Sequence, residues 1–241
     1  MKLGELNQSE AKKRISKNPI ALLPIGATEV HGDHLPLSTD TILAERIAEK
    51  LADKLDNAVI LPSINYGQIW SLRDFPGSIT LSTDTLVRLI VDIGQAVWKD
   101  GIKRLAIING HVGNNVAIKL AARQLYEECE LKVYFFTYPG ANKEIEKVCT
   151  SKRPHGSYFH ACEIETSYML YLAEEYVDMS KAVTNYPDFP EDFDTSNVPW
   201  SEIMSTAVMG DAKAATAEKG RKIIDQVVDN MARILNAYEE K

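Results

Sequence analysis

Glu29, His31, Asp33, His34 and Asp40 fall within the fifteen residues Gly26-Ala-Thr-Glu-Val-His-Gly-Asp-His-Leu-Pro-Leu-Ser-Thr-Asp40. Glu29 and His31 are two positions apart, so in extended chain their side chains leave the same face. A carboxylate oxygen and an imidazole nitrogen placed that way can reach one metal ion or two adjacent ones. Asp40 follows a turn containing Pro36, where a helix is expected to begin, and its carboxylate can fold back to the same point. Mixed carboxylate and imidazole donors with no thiolate suit Zn, Mn or Fe(II) better than Ca or a cysteine-rich structural zinc. Taken singly, each of these residues is ordinary turn material. Taken together they are a site, because the preceding run Pro19 to Ile25 reads as a buried strand. Open α/β sheets place their sites at the carboxyl ends of such strands.

The five histidines lie in only three stretches: His31 and His34, then His111, then His155 and His160. Asn109-Gly110-His111 follows the apolar run Leu105 to Ile108 and precedes a helix, which puts His111 at the same sheet edge as the first cluster. His111 therefore reads as a further ligand. Arg153 to Glu165 gathers His155, His160, Glu163 and Glu165. With a helix starting near Cys162, Glu163 and Glu165 point in different directions, one toward the metals and the other away. Trp70 and Phe75, from the irregular stretch Pro62 to Gly77, and Asn109 with Gly110, are the expected substrate contacts.

The elements that must position these residues follow from periodicity. A weak helix is expected over Leu6 to Lys17, capped at Asn7 or Ser9, and a helix from Ser38 or Thr39 to about Leu55. Ile42, Leu43, Ile47, Leu51 and Leu55 form its buried stripe. Ala58 to Leu61 reads as a strand and Ile79 to Leu81 as a short one. Ser82-Thr83-Asp84 caps a helix to Trp98, ended by Gly101. After His111 a helix runs to about Cys129, and Leu131 to Thr137 is rich in Val, Tyr and Phe. A helix from about Cys162 to Tyr176, a surface loop over Val183 to Trp200 and a C-terminal helix complete the chain. Strand and helix alternate, which predicts a parallel sheet with helices on both faces.

The 241 residues, 45% hydrophobic and 25% charged, suit one α/β domain over 1–241. The net charge is −7 and no Lys/Arg-rich run occurs, which argues against nucleic acid as a partner. Cys129, Cys149 and Cys162 are widely spaced, no apolar signal core or membrane span is evident, and a cytoplasmic protein is expected. Gly-x-Ser-x-Gly, the P-loop motif and a dinucleotide fingerprint are all missing.

With these motifs in hand, the sequence resembles the creatininase family of metal hydrolases. The resemblance rests on Gly26 to Asp40, Phe75-Pro-Gly-Ser, Asn109-Gly-His-Val-Gly-Asn114, His160-Ala-Cys-Glu-Ile-Glu-Thr-Ser167 and Gly210-Asp-Ala-Lys-Ala-Ala, in the family's order. It implies a three-layer α/β/α sandwich with a mainly parallel central sheet, often assembled as a hexamer. It also implies a two-metal centre with Glu29 and His111 on one ion, His31 on the other and Asp40 bridging both. The chain departs from the creatinine-cleaving member twice. Gly113 stands where that enzyme has a glutamate ligand, and Gly156 where it has a tryptophan against the substrate ring. Relatives with the Gly form include formylaminopyrimidine deformylases, and others cleave a peptide or open a carbocyclic ring.

Two divalent ions sharing a water bring its pKa toward neutrality, so that hydroxide can attack a carbonyl. The leaving nitrogen then needs a proton, for which His160 and Glu163 are the candidates. Glu165 is the candidate for the ligand that Gly113 cannot supply. The expectation is a two-metal hydrolase that cleaves a C–N amide bond, cyclic or formamide, of a small polar molecule. The rivals are ring opening by C–C or C–O cleavage at the same centre, and a metal-binding assembly protein without turnover.

Overall fold

The computed structural model describes residues 1–237. Its first helix, α1 (Gln8–Ile15), starts at Asn7, whose side chain accepts from the backbone of Ser9 and Glu10 while the Glu10 carboxylate accepts from Asn7 N–H. This satisfies the exposed first-turn donors from both sides. β1 (Ile20–Ile25) follows, and all six of its residues are buried. The remaining elements are α2 (Thr39–Ala52), β2 (Ala58–Ile60), α3 (Thr83–Lys99), β3 (Arg104–Asn109), α4 (Asn115–Cys129), β4 (Lys132–Phe136), α5 (Ala141–Val148), α6 (Glu163–Leu172), β5 (Thr184–Asn185), β6 (Gly210–Asp211) and α7 (Ala217–Asn236).

The first four strands pair in the order β2-β1-β3-β4, all parallel. Side chains alternate across β1. Ile20 and Leu22 enter a core with α2, α5, α6 and α7, while Ala21, Leu23 and Ile25 enter a second core with α3 and α4. This is the three-layer α/β/α sandwich expected from the alternation of elements. Pro24 is tolerated in a central strand because pairing with β2 ends at Leu22 with Ile60.

β1 and β3 are neighbours although β2 lies between them in sequence, so the loops leaving their carboxyl ends diverge. That crevice is the topological switch point where α/β sheets bind ligands. Three expectations are corrected. Ile79 to Leu81 is not a strand; only a single bridge joins Thr80 to Gly67. α6 stops at Leu172, and a short 3-10 turn covers Glu174–Tyr176. The segment from Val183 to Trp200 is not simply a surface loop. Thr184–Asn185 pairs with Gly210–Asp211, Phe193 is buried, and Phe189 and Trp200 pack onto a small core around Ile69, Leu72 and Met209. The polar residues between them hid these anchors from a periodicity argument.

Candidate metal centre

Glu29 and His31 lie on the segment leaving β1 and are almost wholly buried. His31 donates from Nδ1 to the carbonyl of Glu29 at 3.0 Å, which leaves Nε2 facing Asp40 Oδ1 at 3.3 Å. Asp40 is in the first turn of α2, where the helix dipole favours a carboxylate. Its other oxygen, Oδ2, faces His111 Nδ1 at 3.1 Å. His111 donates from Nε2 to the Gln68 carbonyl at 2.9 Å, and its Nδ1 also lies 3.3 Å from Glu29 Oε2. Each ring is thus held by a backbone carbonyl at one nitrogen and offers the other to the cluster. Asp40 reaches this point because Gly110 lets the end of β3 press against α2. A Cβ at Gly110 would lie 2.1 Å from the Asp40 carbonyl oxygen.

Two sets of donors overlap at Asp40. Glu29, Asp40 and His111 form one, and His31, Asp40 and Glu165 the other, with ligand atoms in each within 4.8 Å of one another. A third set, Glu29, His31 and His160, spans both. His31 Nε2 and Asp40 Oδ2 are fully buried without a hydrogen-bond partner. Buried polar atoms are rarely left so. An orphaned imidazole nitrogen on one side of the Asp40 carboxylate and an orphaned carboxylate oxygen on the other, toward His111, fit a pair of divalent cations.

Charge in the cluster points the same way. Burial opposes a charge on His31, yet the adjacent Asp40 carboxylate outweighs it and lifts the pKa to about 9. Burial likewise disfavours charge on His111, but Glu29 and Asp40 raise its pKa well above the ordinary value. Burial opposes ionisation of Asp40 as well, and His31 and His111 hold it well below the carboxylate range. Without metal, protons on two imidazoles neutralise the carboxylates; divalent ions would take their place. Burial pushes Glu165 up to about 7. Burial, reinforced by the charge on His31, pushes His160 down to about 4.

His160 stands at the rim of the cluster. It donates from Nε2 to the Val30 carbonyl at 2.8 Å, its ring centroid is 4.3 Å from that of His31, and Nδ1 lies 4.0 Å from Glu165 Oε2. Glu165 also accepts from the Ala161 N–H at 2.5 Å. A cavity of about 160 Å³ opens above, walled by Glu29, His111, His160 and Glu165 below and by Trp70, Tyr158 and Trp200 around its mouth.

Of the expected residues, Glu29, His31, Asp40, His111, His160 and Glu165 converge, and Trp70 lines the cavity. Four others do not. Glu163 points away from the cluster: it accepts from Thr150 N–H and Ser151 N–H and pairs with Lys219 Nζ at 2.5 Å. Two positions along α6 turn a side chain through about 200°, close to the opposite face, so only one of the pair can face inward. Phe75 packs beneath its own loop on the core around Ile69 and Leu72. Asn109 spends its amide on the His111 carbonyl, Asn115 and Thr137, shaping the turn rather than facing the cavity. Gly110 lies against α2. Asp33 is exposed, and His34 is buried against Thr166 at 2.9 Å. Gly113 has a local reason: a Cβ there would meet both the Gln68 carbonyl and the His111 ring at 2.4 Å. Sequence reasoning missed Gln68, Tyr158 and Trp200. The indole in an aromatic-rich loop was the only signal for Trp200.

The creatininase profile, described as creatinine amidohydrolase, matches residues 4–235. A mycofactocin precursor peptide peptidase of Mycobacterium ulcerans (strain Agy99) is 31% identical over 95% of this chain and 89% of its own. A creatinine amidohydrolase of Pseudomonas putida is 28% identical over 95% of this chain and 94% of its own. Among solved structures, a manganese creatininase superimposes with TM-score 0.85 at 25% identity, covering 98% of each chain. A mutant creatininase of Zn–Zn type superimposes with TM-score 0.84 at 28% identity, covering 98% of this chain and 97% of its own.

Proposed function

The chain belongs to the creatininase family of metal-dependent amidohydrolases, and on that premise we propose that it hydrolyses a C–N amide bond, cyclic or formamide, in a small polar molecule. The observation that carries the proposal is Asp40, whose two oxygens face His31 and His111 separately. In this reading Glu29, Asp40 and His111 would hold one divalent ion, and His31, Asp40 and Glu165 the other, so that Glu165 would stand in for the ligand absent at Gly113. Zinc and manganese suit this oxygen and nitrogen donor set. When bound, the two ions supply an activated water and polarise the carbonyl. His160, held neutral by burial, takes a proton at Nδ1 and returns it to the leaving nitrogen. The Val30 carbonyl fixes its tautomer by accepting from Nε2. Trp70 and the His111 turn border the substrate.

The peptide peptidase relative favours a second reading, in which the C–N bond belongs to a peptide. The test is turnover by zinc- or manganese-loaded protein of a panel of formamides, lactams, creatinine and short peptides. Hydrolysis of a formamide or lactam supports the first reading, and hydrolysis of peptides alone supports the second. No turnover of any member, with two metals bound, would count against both. Rapid creatinine hydrolysis would show that Gly113 and Gly156 do not exclude creatinine as a substrate.

We also propose a homo-oligomer. Val116, Leu120 and Tyr126 leave an apolar stretch of α4 exposed, and the neighbouring edge strand β4 exposes Phe135.

A further inference from the structure

His111 is aimed by a main-chain group. Its Nε2–H donates to the Gln68 carbonyl at 2.9 Å, which leaves Nδ1 toward Glu29 and Asp40. A partner on the far ring nitrogen fixes the tautomer and the orientation of a metal-binding imidazole. A carbonyl in an irregular segment does this only if its own chain is held. The two peptide groups that flank Gln68 are both pinned. On one side the Gln68 N–H donates to Asn114 Oδ1 at 2.9 Å, and on the other the Ile69 N–H donates to Thr80 Oγ1 at 2.9 Å.

Asn114 is fully buried, and its amide is engaged on both sides. While Oδ1 accepts from Gln68, Nδ2 donates to the Gly26 carbonyl at 3.0 Å and to Asn109 Oδ1 at 3.2 Å. Gly26 lies just past β1, on the way to Glu29. Asn109 ends β3, and its Oδ1 also accepts from the His111 N–H at 3.2 Å. One amide thus ties together the three segments that deliver Glu29, His111 and the Gln68 carbonyl. The task needs an acceptor and two donors in one plane, which a carboxylate or a hydroxyl does not have. The 67–68 segment is pressed close against it: a Cβ at Gly67 would lie 2.6 Å from Asn114 Oδ1.

We propose that Asn114 is a positioning residue of the metal centre: by holding the Gln68 main chain it keeps His111 aimed at the ion site formed with Glu29 and Asp40, and so sets the affinity of that site. This rests on the reading of the cluster as a two-metal centre. Asn114 is not part of the cavity wall or of any donor set, so it acts only through His111 and its neighbours. Without the amide, Gln68 stays tethered through Ile69 to Thr80, but its carbonyl is free to tilt. The His111 ring then spends part of its time turned from the ion. The site built on His31 and Glu165 has no such dependence on Gln68 and should be affected less.

The test is zinc titration by calorimetry in a Glu165→Gln background, which isolates the ion of Glu29, Asp40 and His111, with Asn114→Ala and Asn114→Ser added in turn. Val97→Ala, a core truncation near the start of β3 and away from the site, is the control for lost stability alone. Each protein is measured where circular dichroism shows it folded, and solvent exchange of the His111 Nε2–H is followed by NMR in the zinc-loaded form. Asn114→Ala is expected to weaken zinc roughly tenfold, the low end for losing an outer partner of a ligand, because Asn114 acts one bond further out. The Nε2–H should exchange faster, Asn114→Ser should fall between alanine and wild type, and Val97→Ala should change neither readout. Should Asn114→Ala not fold, Asn114→Ser carries the same comparison. Positioning through Asn114 is overturned if zinc affinity and Nε2–H exchange stay as in wild type, or if Val97→Ala weakens zinc as much. A wild-type Nε2–H that exchanges as fast as a free imidazole would overturn it without any variant. Fewer than two zinc ions on wild type would instead count against the two-metal reading.

Discussion

At the scale of single residues, Asp40 and His160 have separable consequences. Asp40 belongs to both donor sets, and its two oxygens face different imidazoles. Asp40→Ala is expected to lose both metals, because two cations at short range repel each other once the shared anion is gone. Glu165 belongs to only one of the two sets that share Asp40, so Glu165→Gln should lose about one ion and keep the other. Elemental analysis of the two variants checks both, and full metal content in Asp40→Ala would rule out bridging. His160 hydrogen-bonds the Val30 carbonyl and stands at the cavity wall. His160→Ala should therefore retain metal and fold but lose roughly 10²–10⁴-fold in rate, the range for general acid–base groups. His111→Ala should lose metal instead. If the two outcomes were exchanged, the roles of the two histidines would be exchanged with them. A His160→Ala variant with metals in place and full activity would leave proton delivery to another group.

At the scale of elements, α6 is set in place by Glu163. This carboxylate is buried at the first turn, accepts from Thr150, Ser151 and Lys219, and so ties α6 both to the turn after α5 and to the start of α7. Glu165, one face further round, is thereby aimed at the cluster. Lys219→Met leaves the Glu163 charge without its cation and should destabilise the fold by about 3 kcal/mol, the low end for breaking a buried pair, because Lys219 is partly exposed. Chemical denaturation measures it, and a change below about 0.5 kcal/mol, the level of an ordinary surface substitution, would show that the tie is unimportant. The pH dependence has a definite sign. Burial alone would raise the Glu163 pKa, but Lys219 and the Ser151 and Thr150 donors outweigh it and depress the value to about 2. The stabilisation is whole above the unfolded carboxyl pKa of about 4.3 and fades as pH falls toward about 2. Wild type and Glu163→Gln should therefore converge in stability across that acid window. A gap that persists at pH 2 would mean that the glutamine itself packs badly.

At the scale of the whole molecule, the site is assembled from segments that lie far apart in the chain. The loops after β1 and β3, the first turns of α2 and α6, and the Trp70 and Trp200 loops all meet at the switch point of the sheet. The opposite helical layer presents an apolar stretch of α4 to solvent beside the open edge at β4. Natural edges of this kind are usually covered. Val116→Glu with Leu120→Glu is expected to lower the mass seen in sedimentation while leaving secondary structure intact. An unchanged assembly, or a wild type that is monomeric at every concentration, would show that this face is not the interface.

The sequence by itself determined the layer architecture and most of the cluster. Continuous apolar runs at Ile20–Ile25 and Leu105–Ile108 mark buried parallel strands, and the Gly-rich turns that follow them place Glu29, His31 and His111 at one edge. Local spacing carried that much because strand ends and helix starts dictate where nearby side chains emerge. Tertiary structure alone decided the rest. Glu163 and Glu165 are equivalent as letters; only the burial of one against Lys219 and of the other against Ala161 distinguishes them. Asn109 and Phe75 read as substrate contacts, but one closes its own turn and the other packs under its loop. Trp200 reads as loop material, yet a backbone bond to Ser71 swings it to the cavity. The contact of Glu163 with Lys219 spans 56 positions, and that of Trp200 with Ser71 more than a hundred. They are set by which polar groups must be satisfied on burial and which apolar surfaces close together, and no local period records either.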